Sequence, residues 1–169
     1  MQIRDAQPSD APAIAAIWNP IIRDTVVTFN PAQRSAEEIA VMITDRQHAG
    51  YAFLVAEEGA ALLGFASYSQ FRAGLGYART MEHTINLAPE ARGRGLGSLL
   101  LGALEAHATG AGYHVMVGAI TSGNLASIAF HARQGYTEVG RMPQVGWKFG
   151  QYHDLTLMQK VLSDQDGAV

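Results

Sequence analysis

Apolar residues recur at Ile14, Ile17, Trp18, Ile21 and Ile22, a spacing of i, i+3, i+4, i+7 and i+8 that lines one face of a helix. Ser9 or Asp10 stands where the N-cap belongs, and Pro20 is expected to break or bend the last turn. A second helix is predicted from Ser35, where Glu38 completes a capping box, with Ile39, Met42 and Ile43 turned inward until Gly50. The period then changes. Residues 51–57 and 62–71 read as strands joined at Glu58-Gly59, an antiparallel hairpin. Over 80–87 the alternation places Thr80, Glu82, Thr84 and Asn86 on one face and Met81, His83, Ile85 and Leu87 on the other.

Beyond Pro89 a glycine-rich turn leads into a predicted helix over 98–108, with Leu100, Leu101 and Leu104 on one side. A short buried strand follows at 115–120, then a helix from Ser122 or Asn124 to Gln134, closed by Gly135. Two strands, at 136–141 and 154–161, finish the pattern. Helices and strands in this order predict an α/β fold on a mixed, mostly antiparallel sheet with helices on both faces. No repeat or linker divides it, so one domain is expected over 1–162 with a frayed tail at 163–169.

The chain has 169 residues, 48% hydrophobic and 16% charged, with a net charge of −3, which suits a single soluble globular domain. Its basic residues are scattered, so nucleic acid is not an expected partner. No run nears the roughly 18 apolar residues that span a bilayer, and residues 1–5 do not open a leader; no membrane partner and a cytoplasmic location are expected. Cysteine is absent, which excludes disulfides, thiolate metal sites and an acyl-cysteine intermediate. His48, His83, His107, His114, His131 and His153 show no ligand spacing, and no metal is expected.

Of the 18 glycines, none precedes Gly50 and 12 lie between Gly93 and Gly150. The densest group is Arg92-Gly93-Arg94-Gly95-Leu96-Gly97-Ser98, between a predicted strand and a predicted helix. Alternate glycines free the backbone for unusual conformations and leave N–H groups open to an anion at the helix start, and Arg92 and Arg94 add charge. An ATP-binding loop would need lysine before Ser98. A dinucleotide site would need an acidic residue about 20 positions on, and none lies between Glu105 and Glu138.

Arg92 to Gly97, Arg-x-x-Gly-x-Gly, resembles the pyrophosphate loop of the GCN5-related N-acetyltransferase (GNAT) superfamily. The likeness extends over nearly the whole chain, including Asn124-Leu125-Ala126-Ser127 and the helix that ends at Gly135-Tyr136. Within the superfamily it is nearest to the phosphinothricin and methionine sulfoximine acetyltransferases, through Thr28-Phe29-Asn30, Gly64-Phe65-Ala66-Ser67-Tyr68, Glu82-His83, Met142-Pro143-Gln144-Val145-Gly146 and Lys148-Phe149-Gly150. This resemblance implies acetyl-CoA as co-substrate, a small amino-acid analogue as acceptor, and a homodimer. Acetylation of protein N-termini or other amines, and a silent acyl-CoA sensor, are the competing readings.

Acetyl transfer to an amine needs a base, a stabilised oxyanion and a proton for the thiolate. By resemblance Glu82 is the base; without it, Glu82 reads as a surface carboxylate or an ion-pair partner of Arg79. His131 stands where relatives carry a tyrosine and becomes the candidate acid. Ile85, Asn86 and Leu87 are expected to bind pantetheine through their backbone, and Arg92, Gly93, Arg94, Gly95, Leu96, Gly97 and Ser98 the diphosphate. Asn124 and Ser127 complete the cofactor set. Arg72, Leu75, Gly76 and Tyr77 resemble the substrate loop. Phe29 is expected to supply an apolar wall, and Arg72, Arg79 or Lys148 the cation for a substrate carboxylate. Gly95→Val is expected to raise the acetyl-CoA KM with little effect on folding.

Overall fold

The computed structural model describes residues 1–162, and the tail expected at 163–169 lies outside them. Seven strands form one mixed sheet, in the order β1 (Gln2–Asp5), β2 (Phe53–Glu58), β3 (Ala61–Gln70), β4 (Thr80–Leu87), β5 (Val115–Thr121), β7 (Gln151–Val161), β6 (Thr137–Lys148). Every neighbouring pair is antiparallel except β4 with β5. Helices α1 (Ala11–Asp24) and α2 (Ala36–His48) cover one face, where Ile14, Trp18, Ile39 and Ile43 pack on Phe53, Val55 and Phe65. On the other face α3 (Leu96–Gly110) sets Leu100, Leu101 and Leu104 against Leu54, Ala66, Tyr68 and Met81. The short α4 (Leu125–Arg133) follows β5.

Local signals behave largely as their chemistry demands. The Ser35 hydroxyl accepts from Glu38 N–H at 3.1 Å while the Glu38 carboxylate accepts from Ser35 N–H at 2.7 Å, a complete capping box. Asp10 does not cap α1 with its side chain. Its carboxylate instead takes the Gln7 N–H at 2.7 Å and the Arg4 guanidinium at 2.7 and 2.9 Å. Pro20 does not stop α1, which runs to Asp24. The carbonyl it leaves without a helical partner is that of Ala16, an exposed residue.

Two parts of the sheet escaped the pattern. Edge strand β1 is only four residues long with no clear alternation, and pairs with β2 from Gln2 opposite Glu57 to Asp5 opposite Leu54. The last two strands are longer than expected and form one hairpin, Lys148 facing Gln151. Phe149 and Gly150 both have positive φ, 53° and 74°, the sign pattern of a two-residue I′ turn. Register shifts at Glu138–Gly140 and Met142–Gly146 break the alternation that would have carried the expected strand at 136–141 on to Lys148.

Candidate active site

Parallel pairing of β4 and β5 extends only over Thr80–Val115, Met81–Met116 and Glu82–Val117. From there β4 follows β3 and β5 follows β7, so the sheet opens into a wedge. The β5-facing backbone edge of β4 from His83 onward thereby loses its strand partner. A cavity of about 450 Å³ fills the wedge and reaches both faces of β4, touching Glu82, Thr84 and Asn86 as well as His83 and Ile85. Gly118, Thr121, Asn124, Ser127 and His131 line its β5 side, and Trp18, Ile21, Thr28, Phe29, Asn30 and Arg34 its α1 side.

Glu82 stands at the apex, where the pairing stops. Among the described residues its carboxylate has no hydrogen bond and no ion pair, and Arg79 does not reach it. Burial raises its pKa above the ordinary carboxylate value, and the charge of Arg46 opposes that only in part. A half-buried carboxylate of raised pKa, open to a cavity, is a poised proton acceptor.

At the mouth of the wedge, Arg92 N–H bonds Pro89 O, and Ser98 and Leu99 N–H both bond Gly95 O. Between them the amides of residues 93–97 have no partner among the described residues. Gly93 and Gly95 have φ of 73° and 78°, and a Cβ on either would meet nothing within 4 Å. The result is a row of free donors at the positive end of α3, a cradle of the kind that suits an anion. Its arginines are less committed to that cradle than expected. Arg94 pairs with Glu58 at 2.9 Å, and Arg92 lines a separate groove beside α1. Gly97 serves packing: a Cβ there would lie 3.3 Å from Phe130 and 3.6 Å from Leu87. Ser98 Oγ accepts from Gln134 at 3.0 Å, and Leu96 is buried. The expected tolerance of Gly95→Val is corrected, since any L side chain at φ 78° is strained.

Asn124 caps α4 by accepting from Ser127 N–H at 3.1 Å. One turn on, His131 is 2% exposed and its ring stacks on His83 at 5.1 Å between centroids. Its Nδ1 lies 2.8 Å from Ser127 O and its Nε2 lies 3.2 Å from His83 Nε2. A carbonyl only accepts, so Nδ1 of His131 carries the proton. Burial lowers the pKa of His131, and burial with the neighbouring His131 pushes His83 down to about 3. Both rings are therefore neutral near pH 7: His83 donates to His131, and His83 Nδ1 is left as a buried lone pair. The expected acid role of His131 is corrected accordingly, because the ring has no free N–H for a thiolate.

The expected acceptor residues are only partly assembled. Phe29 lines the cavity, stacked on His153 at 5.7 Å between ring centroids. Arg72, Leu75, Gly76 and Tyr77 form an exposed loop that does not line it, with Arg72 5.4 Å above the Tyr77 ring. Lys148 is corrected outright: it is 4% exposed, and its three ammonium protons go to the carbonyls of Ile22, Thr25 and Thr28. Sequence reasoning missed Arg34 and Gly118. Arg34 gives no local signal beyond a charge between two helices. A Cβ on Gly118 would sit 3.1 Å from His83 Nε2 and 3.3 Å from His131, so the glycine makes room for the histidine pair.

A parallel pair that opens above a free carboxylate, with an anion cradle at its mouth, is an arrangement suited to group transfer from a phosphate-bearing donor. The chain belongs to the Acetyltransferase (GNAT) family, whose sequence model matches residues 18–136. A solved acetyltransferase from Salmonella typhimurium with its cofactor acetyl-CoA superposes with a TM-score of 0.95 at 38% identity, covering 100% of this chain and 98% of that one. A phosphinothricin acetyltransferase from Sinorhizobium meliloti in complex with acetyl-CoA gives 0.91 at 33% identity, covering 96% and 88%. The L-methionine sulfoximine/L-methionine sulfone acetyltransferase of Pseudomonas aeruginosa is 44% identical over 158 residues, 93% of this chain and 92% of that protein. No helix among the described residues is long and apolar enough to cross a membrane.

Proposed function

We propose that the protein transfers acetyl from acetyl-CoA directly to the α-amine of a small amino-acid analogue of the methionine sulfoximine, methionine sulfone or phosphinothricin type. The observation that carries the reading is Glu82, a cavity carboxylate of raised pKa with no structural partner. A silent acyl-CoA sensor has no use for such a group. The free amides of 93–97 suit the diphosphate, and the open edge of β4 at Ile85, Asn86 and Leu87 suits the amide-bearing arm. When bound, acetyl-CoA supplies the activated acyl group. Glu82 takes the proton from the acceptor ammonium, directly or through one water, and the α1 wall keeps bulk solvent from the amine. With both nitrogens of His131 engaged, the second proton, which the nitrogen loses as the amide forms, passes to the departing thiolate through water.

The reading includes cytoplasmic action, where acetyl-CoA is available, and a homodimer. In support of the latter, β6 is a sheet edge, and Val139, Met142, Val145, Trp147, Phe149 and Tyr152 leave apolar surface exposed on the β6–β7 hairpin. Free-thiol release from acetyl-CoA, measured against methionine sulfoximine, methionine sulfone, phosphinothricin, a polyamine and a short peptide, tests the reaction. Turnover is expected with the amino-acid analogues, and silence with every amine overturns the reading. Glu82→Gln is expected to lower kcat/KM by about 10²–10⁴-fold while acetyl-CoA still binds. Near-normal rates in that variant remove the base assignment.

A further inference from the structure

We propose that Arg34 is the residue that recognises the carboxylate of the acceptor. The inference rests on the reading of the protein as an acetyltransferase of small amino acids. Such an acceptor carries its ammonium and its carboxylate two bonds apart, so one cavity must offer a free anion and a free cation. Glu82 is the anion. Lys148 is consumed by three carbonyls and Arg72 lies over Tyr77, outside the cavity. Arg34 lines the same cavity as Glu82. No carboxylate among the described residues pairs with its guanidinium, and its Nε is buried with no acceptor. A permanently charged group with a buried donor left unpaired is an unfilled anion site.

The side chain is also held in place before any ligand arrives. Asn19 clamps the Arg34 backbone from both sides: its Nδ2 donates to Arg34 O and its Oδ1 accepts from Arg34 N–H, each at 2.9 Å. The guanidinium carbon stands 4.8 Å above the centre of the Trp18 ring, which fixes the plane of the fork. Arg46, from α2, adds a second positive charge that acts on both Arg34 and Glu82, and itself donates to Ser67 Oγ at 2.6 Å. A planar fork backed by a second cation suits the two oxygens of a carboxylate.

The experiment compares kcat/KM for L-methionine sulfone and for its carboxamide, which keeps the size of the group but replaces the charged oxygen with a neutral amide nitrogen. Wild type, Arg34→Gln, Arg34→Lys and Arg72→Gln are measured, with thermal melts to establish folding. Wild type is expected to prefer the acid by about 10- to 100-fold, the scale of a hydrogen bond to a charged group. Arg34→Gln is expected to bring that preference close to one by raising the KM for the acid, with the KM for acetyl-CoA unmoved. Arg34→Lys keeps the charge but loses the fork, so an intermediate preference is expected from it, even if Arg34→Gln does not fold. A wild type without preference, a preference that survives both Arg34 variants, or one lost only in Arg72→Gln overturns the inference and leaves the acetyl-transfer reading intact. Failure of wild type to acetylate these two compounds and every other amine of the thiol-release panel overturns both.

Discussion

Three carbonyl oxygens, of Ile22, Thr25 and Thr28, surround the Lys148 ammonium at 2.5, 2.7 and 2.7 Å. They belong to the end of α1 and the segment after it, whose next residues Phe29 and Asn30 form one wall of the cavity. Thr121 Oγ1 donates to Val26 O nearby, and Phe29 packs so closely on Gly146 that a Cβ there would collide with its ring. Lys148 therefore shapes that wall of the cavity from behind. Lys148→Met is expected to cost about 2–4 kcal/mol of stability, since it strands buried acceptors of charged hydrogen bonds, and to raise the acceptor KM. Urea unfolding checks this: an unchanged midpoint together with a raised acceptor KM would restore Lys148 to the substrate. Glu82 was legible because strand alternation plus the family likeness gave it a place. The partners of Lys148 lie more than 100 residues away in the chain, which no local pattern encodes.

The glycine-rich turn into α3 and the histidine pair over Gly118 show glycines doing different work within two elements. Gly93 and Gly95 need positive φ, Gly97 needs room for Phe130, and Gly118 needs room for two rings. Gly102, inside α3 with open space around its Cβ direction, needs none of these. Gly95→Ala is expected to cost about 1–2 kcal/mol for the left-handed backbone and to raise the acetyl-CoA KM. Gly102→Ala is expected to add about 0.5–1 kcal/mol of stability with the KM unchanged. Melting curves and acetyl-CoA titrations on the two variants separate the roles, and equal behaviour would contradict them. The composition showed the cluster of glycines; the backbone angles and neighbours sorted it.

Across the molecule, the opening between β4 and β5 brings titratable groups into the centre of the sheet, and stability should depend on pH through them. His83 and His131 have pKa values below the ordinary 6.5 in the folded state, so the unfolded chain binds protons first as pH falls. Stability is full above about pH 6.5 and declines below it, by up to about 1.4 kcal/mol per pH unit for each histidine. Glu82 acts in the opposite sense. Its folded pKa is raised, so its contribution is present below the ordinary carboxylate value and is lost as pH rises through the folded one. Unfolding free energies from urea titrations at pH 7.5, 6.5 and 5.5 are expected to fall by less than about 1 kcal/mol between the first two and by about 1–3 kcal/mol to the third. No drop would mean that the pair is accessible to protons in the folded state.

Helices α1 to α4, the β2–β3 hairpin, β4, β5, the first half of β6, most of β7 and the glycine-rich turn could be read along the chain, because their signals lie within a few residues: apolar period, capping box, glycine spacing. The α/β class and the family followed from the order of those elements and their motifs. Pairing across the sheet decided the rest. Strand β1 exists only because β2 offers it an edge, and the expected strand at 136–141 continues to Lys148 only because β7 closes a two-residue turn onto it. Which cation stays free, whether His131 has a proton to give, and where the wedge opens depend on groups brought together from distant segments. Burial and hydrogen-bond partners are properties of those encounters, so the same lysine, arginine or histidine letter acquires its chemistry only in the folded chain.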